Sequence, residues 1–90
     1  MAAADENWTT ADDDAATESA VLQQAIALHP TQVTLDELIR ELAGEAAGFA
    51  ERDRIERAVR DLTATGLLHH RGDFVLPTRA SLRFQELLDR

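Results

Sequence analysis

The stretch Ile55–Thr78 decides the fold, and it reads IERAVRDLTATGLLHHRGDFVLPT. Its first part repeats apolar residues at three- and four-residue spacing, as a helix with one buried face does, and Gly66 is the type of residue that ends such a helix. Two short apolar runs then flank a turn that contains Gly72, which is typical of a β-hairpin. The stretch therefore predicts a helix that runs into a hairpin. The returning strand should end at Pro77, because proline has no N–H for the ladder.

A further helix is predicted before this stretch. Thr34 and Glu37 have the spacing of a capping box, in which a hydroxyl and a carboxylate bind free backbone amides at the start of a helix. The helix should therefore begin at Leu35, after a short β-prone segment around Val33. Gly44 should end it, since glycine enters left-handed backbone conformations at little cost.

The pattern predicts one more helix at each end of the folded part. Apolar residues from about Ser19 to Leu28 fall on one side of a helical wheel, and the helix should stop before Pro30. Thr78 is placed to cap a last helix whose apolar face would include Leu82, Leu87 and Leu88 together with Phe84.

The connector between the second and third helices contains Phe49, which we expect to cover the core. The third helix should start between Glu51 and Asp53, because Asp53 begins another capping spacing.

Composition limits the classes of function. The chain has 90 residues, 17 acidic and 9 basic, and its formal net charge of -8 opposes nonspecific binding to phosphate or anionic lipid. Without cysteine it cannot form disulfides, thiolate metal sites or a cysteine nucleophile. Neither a signal peptide nor an apolar run long enough to cross a bilayer is evident. We therefore expect a cytoplasmic protein without membrane association.

The negative charge is concentrated at the beginning of the chain. Residues 1–19 carry six acidic side chains and no basic one, and Trp8 is their only large apolar residue. So little apolar surface does not offset the entropy of ordering a chain. The sequence predicts a disordered acidic tail over residues 1–18 and one folded domain over residues 19–90. The tail could be a solubilising leader or an anion that competes with nucleic acid for the arginines of the domain.

The order of elements, helix, short strand, helix, turn, helix and two-stranded hairpin, resembles the winged helix-turn-helix domain. Residues 34–43 match the supporting helix, residues 55–68 the recognition helix leading into the wing, and residues 72–78 the returning strand. The resemblance implies a mostly helical α+β fold, with a three-helix core, a hairpin wing and an extra C-terminal helix. It also implies a noncatalytic transcriptional regulator that binds double-stranded DNA. Family members often pair through terminal helices, so a homodimer through the C-terminal helix is expected.

In that family the third helix enters the major groove and the wing contacts the DNA backbone. A helical wheel places Arg57 and Arg60 on the solvent side of the third helix, with Arg54 at its edge. Their guanidinium groups match the acceptors of guanine and phosphate. His70 and Arg71 would contact the backbone from the wing. The candidate nucleic-acid-binding residues are Arg54, Arg57, Arg60, His70 and Arg71.

An alternative function comes from the acidic residues of the same helix. Glu56 and Asp61 would repel phosphate and could instead pair with neighbouring arginines. The domain would then be a winged-helix protein-interaction module that does not bind DNA. No catalytic motif is evident and no cofactor is implied. His69 and His70 alternate between the two faces of a strand, so they do not predict a metal site.

Overall fold

A computed structural model describes residues 10–90, with side chains from residue 13 onward. This part of the chain forms four helices and a three-stranded antiparallel sheet in a winged-helix-like layout, which confirms the predicted mostly helical α+β class. In chain order the elements are α1 (Thr10–Leu28), β1 (Val33–Thr34), α2 (Leu35–Ala43), α3 (Phe49–Ala64), β2 (Leu68–Arg71), β3 (Phe74–Pro77) and α4 (Arg79–Leu88).

The sheet has the strand order β1-β3-β2, so the returning strand of the hairpin is central. Val33 of β1 lies opposite Val75 of β3. The hairpin closes between Arg71 and Phe74, and Gly72 in its two-residue loop has a φ of 59°. Glycine adopts this left-handed conformation without the steric penalty that a Cβ atom would bring. The predicted hairpin is therefore confirmed, as is the end of its second strand at the proline.

The predicted caps of α2 and α4 are both formed. The Glu37 N–H donates to Thr34 Oγ1 at 3.2 Å, and the Thr34 N–H donates to Glu37 Oε1 at 2.8 Å. At the start of α4 the Ser81 N–H donates to Thr78 Oγ1 at 3.3 Å. The Ser81 side chain is buried and donates to the Leu67 carbonyl oxygen at 2.6 Å. The cap of α4 thus also joins this helix to the residue that precedes β2.

The first helix begins earlier than the sequence predicts. Disorder was predicted up to residue 18, whereas α1 starts at Thr10 and continues without interruption past Ser19. Acidic residues such as Asp13 and Asp14 are favourable near the positive end of a helix dipole, which supports a helix start before them. The helix thus includes residues 10–18, which the sequence assigns to the tail. Residues 1–9, which include Trp8, lie outside the described residues.

The third helix also begins earlier, at Phe49. The Gly48 N–H donates to Glu51 Oε1 at 2.9 Å, so Glu51 closes the first turn of the helix instead of preceding it. Six helical positions separate Phe49 from the buried Ile55, which places the two on well-separated sides of α3. Phe49 is 86% exposed, and the prediction that it covers the core is wrong.

The core lies between the first three helices and the sheet. Within residues 10–90, no helix is both long and apolar enough to span a membrane. The largest fully buried side chains of the core are Val21, Leu38, Ile39, Leu68 and Val75.

Candidate interaction surfaces

Two of the predicted DNA-binding arginines face α1. Arg54 Nε lies 3.6 Å from Asp13 Oδ2, and Arg57 Nη1 lies 3.6 Å from Asp14 Oδ2. Arg57 Nε also donates to Asp53 Oδ2 of its own helix at 3.2 Å. We call these five residues the α1–α3 ion-pair cluster. The cluster brings the beginning of α1 against the helix that the family resemblance assigns to DNA reading.

The pairs of this cluster are partly open to solvent. The side chains of Arg54 and Arg57 are 38% and 40% exposed, and those of Asp13 and Asp14 are 36% and 33% exposed. Water screens such pairs, and each contributes about 0 to 1 kcal/mol to stability. An anion that binds the same guanidinium groups more strongly can therefore displace the carboxylates.

The surroundings of the cluster add negative charge. Glu18 of α1 and Asp61 of α3 line the same recess as Asp14, Arg54 and Arg57. Carboxylates around the two arginines lower the electrostatic potential that an approaching phosphate would meet. This side of α3 is therefore unfavourable for DNA as long as α1 covers it.

The other three predicted residues lie elsewhere. Arg60 and His70 line one hollow of about 350 Å³, together with Glu56. Arg71 lies at the end of β2, next to the hairpin loop. All three are exposed, and none forms a salt bridge with a side chain of residues 13–90. We call Arg60, His70 and Arg71 the wing-side cations.

The five predicted residues thus differ in their partners: Arg54 and Arg57 pair with carboxylates of α1, and the wing-side cations form no salt bridge within residues 13–90. The hollow at Arg60 and His70 shares no residue with the α1–α3 ion-pair cluster. A helical wheel gives the direction of each arginine around α3, but it includes no neighbouring helix and so does not show that Arg54 and Arg57 face α1. A helix predicted over residues 10–28 would have indicated that the beginning of α1 can contact the arginines of α3.

A second surface is apolar and lies between α1 and α4. On α4, Phe84 is 62% exposed, Leu87 is 50% exposed and Leu88 is 62% exposed. Phe84 and Leu88 border a groove of about 440 Å³, whose opposite wall is α1. We define the α1–α4 apolar face as Leu22, Ile26, Leu67, Phe84, Leu87 and Leu88.

The sequence predicted the α4 part of this face and missed the α1 part. Leu22 and Ile26 each follow a fully buried residue of α1, Val21 and Ala25, and they are only partly buried themselves. Two apolar pairs, Val21 with Leu22 and Ala25 with Ile26, thus follow each other four residues apart. The apolar stripe of α1 is therefore wider than the part that the core covers.

The described part of the chain contains no group of three or more side chains that could hold a metal ion. Comparisons of the chain with protein-family models, with curated proteins and with solved structures find no match.

Proposed function

We propose that this chain is a winged-helix-like protein-interaction module that pairs with a second copy of itself through the α1–α4 apolar face. One observation carries the proposal: three large apolar side chains of a ten-residue helix remain exposed beside an apolar groove. Contiguous apolar surface of this kind marks interaction sites in small proteins.

The shape of α4 favours a second copy as the partner. Ala80, Phe84 and Leu87 follow one another at helical spacing along its outer side, and Ala80 and Leu87 occupy opposite ends. In a twofold symmetric pair with antiparallel α4 helices, the small Ala80 of each copy lies beside the bulky Leu87 of the other. The two helices can then approach closely.

The charges of α4 fit the same arrangement. Arg79 and Arg83 lie in its first half, and Glu86 and Asp89 lie at its end, all of them exposed. Antiparallel pairing brings the basic half of one helix beside the acidic end of the other. Such complementarity sets the orientation of a pair more than its strength.

Size supports the proposal as well. A single core in a chain of this length rarely supplies more than about 3 to 5 kcal/mol, and self-association is a common supplement where neither disulfide nor metal is present. Burial of the exposed side chains of α4 in a dimer would add to that core.

Sedimentation equilibrium of the full chain tests the proposal. We expect a reversible dimer that Phe84→Ser weakens at least about a hundredfold, since the loss of a buried Phe side chain costs about 3 kcal/mol. Phe49→Ser is the matched control, because it removes the same side chain from an exposed position on α3. Higher salt should strengthen the dimer, because it screens the repulsion between two negatively charged chains. A chain that stays monomeric up to millimolar concentration, or equal weakening by both variants, contradicts the proposal.

Duplex DNA binding in transcriptional control, as a member of the winged helix-turn-helix superfamily, is the second candidate. The observation that favours it is the position of the wing-side cations. Arg60 of α3 and His70 of the hairpin line the same hollow, and Arg71 follows on the same strand as His70. A recognition helix and a wing would approach DNA from such neighbouring elements.

Fluorescence anisotropy with a labelled duplex tests this candidate. Arg60→Ala/Arg71→Ala should weaken binding and lower the slope of log K against log salt by about 2, because two phosphate contacts are lost. Arg40→Ala/Arg90→Ala is the control, since it removes two exposed arginines from α2 and the C-terminus. Equal effects of the two pairs, or a flat salt response, would exclude a specific role for the wing-side cations.

A further inference from the structure

We infer that the α1–α3 ion-pair cluster is an intramolecular lock, in which Asp13 and Asp14 occupy an anion-binding site formed by Arg54 and Arg57 that duplex DNA takes when the lock opens. The inference rests on DNA binding as proposed above and names the regulation of that binding.

The pairing geometry matches an anion site. Asp13 and Asp14 are consecutive in α1, and each lies 3.6 Å from a different arginine of α3. Arg54 and Arg57 are three positions apart, about one turn of the helix. Two neighbouring anions on one strand of chain thus meet two neighbouring cations, as successive phosphates of a DNA strand meet the basic residues of a helix. Carboxylate and phosphate oxygens accept the same guanidinium hydrogen bonds.

The beginning of α1 is held weakly enough to leave. Between Asp13 and Ala20 no residue of α1 is buried, whereas Val21 and Ala25 are. Ala16, Thr17 and Ala20 of this part of α1 line an open hollow of about 260 Å³ that is shared with α2 and α3. Helix segments with few buried contacts open locally while the rest of a domain stays folded.

Opening of the lock makes the surroundings of α3 less negative. With α1 in place, Asp13 and Asp14 neutralise Arg54 and Arg57, and Arg60 alone among these three arginines has no described carboxylate partner. When the first turns of α1 leave, Asp53 remains as the partner of Arg57, and the acidic side chains of α1 move away. Arg54, Arg60 and the Nη1 group of Arg57 are then available to a phosphate backbone.

The test compares two charge-neutralising double variants of the full chain. Asp13→Asn/Asp14→Asn removes the carboxylates of the lock with nearly the same side-chain shape. Glu41→Gln/Glu45→Gln removes the same number of negative charges from α2 and the following connector, outside α1 and α3. Binding of a labelled mixed-sequence duplex is measured for both variants and for the parent chain over a range of salt concentrations.

We expect Asp13→Asn/Asp14→Asn alone to bind about tenfold more tightly at low salt, with a salt slope steeper by about 2 because two more phosphates are contacted. Equal tightening by both variants would assign the effect to net charge and overturn the lock. If the parent chain binds and neither variant binds more tightly, the lock is overturned while DNA binding stands. If no variant binds at any salt concentration, DNA binding fails, and the lock as a gate for DNA fails with it.

A measurement without DNA tests the ion pairs of the lock independently of DNA binding. In nuclear magnetic resonance spectra, the Nε–H signal of Arg54 and the Nη–H signal of Arg57 report the two ion pairs with α1, because these are the groups nearest Asp13 and Asp14. Asp13→Asn/Asp14→Asn should shift both signals and leave that of Arg60 in place. Unchanged signals of Arg54 and Arg57 would overturn the inference whatever the DNA measurement gives.

Discussion

The two halves of α1 are held to the domain by different forces. The second half contributes Val21 and Ala25 to the core, which are 0% and 2% exposed. The first half has no buried side chain between Asp13 and Ala20, and its contacts to α3 include two partly exposed ion pairs. One continuous helix therefore joins a part fixed by apolar burial to a part attached by charge.

Because the forces differ, the first half of α1 should respond to ionic strength more than the second half. Apolar burial depends little on ionic strength, whereas exposed ion pairs weaken gradually as the salt concentration rises. The second half is also one wall of the α1–α4 apolar face, and the first half covers two arginines of α3. The stable half thus lies at the proposed protein interface, and the responsive half at the proposed nucleic-acid interface.

Val21→Ala should have the largest effect on stability. It removes two methyl groups from a fully buried position where α1 packs into the core, and a cavity of this kind costs about 2 kcal/mol in the free energy of unfolding. Urea denaturation measures the change. Ala20→Ser, at the exposed neighbouring position, is the control and should stay within about 0.5 kcal/mol of the parent. A loss below that value for Val21→Ala would show that the second half of α1 is not fixed by burial.

Hydrogen exchange should show weaker protection in the first half of α1 than in the second half. We expect the backbone amides of residues 15–20 to exchange at least about tenfold faster than those of residues 22–28, which corresponds to about 1.4 kcal/mol between local and wider opening. Both segments are helical, so secondary structure alone predicts equal protection apart from fraying at the ends. Uniform protection along α1 would contradict the expected difference in local stability between its two halves.

The local elements of the fold could be predicted because their signals are local. The capping box at Thr34 and Glu37, the glycine after α2 and the turn at Gly72 each depend on a few neighbouring residues. The starts of α1 and α3 were placed too late. For α3, the sequence also offered a capping spacing at Asp53, but the first turn is closed by Glu51 and the Gly48 amide.

The candidate site was harder to predict, because it depends on contacts between distant residues. Composition alone assigned residues 1–18 to a tail, so Asp13 and Asp14 had no fixed position from which to reach α3. A helical wheel gives the direction of Arg57 relative to Ile55, but it does not include the carboxylates of another helix. The sequence left two roles open for the acidic residues 1–18, a solubilising leader or an anion that competes for the arginines. In the structure Asp13 and Asp14 lie 3.6 Å from Arg54 and Arg57.

The smallest effect should come from the charges that hold the first half of α1. Asp13→Asn/Asp14→Asn should lower the free energy of unfolding by about 1 kcal/mol or less at low salt, since each exposed pair is weak and the carboxylates also favour the positive end of the helix dipole. Parallel urea titrations at low and high salt measure this difference. The difference between variant and parent should shrink at high salt, because screening already weakens the pairs in the parent. A loss comparable to that of Val21→Ala, or one that persists at high salt, would mean that the ion pairs are a structural part of the domain and that α1 is held equally firmly along its length.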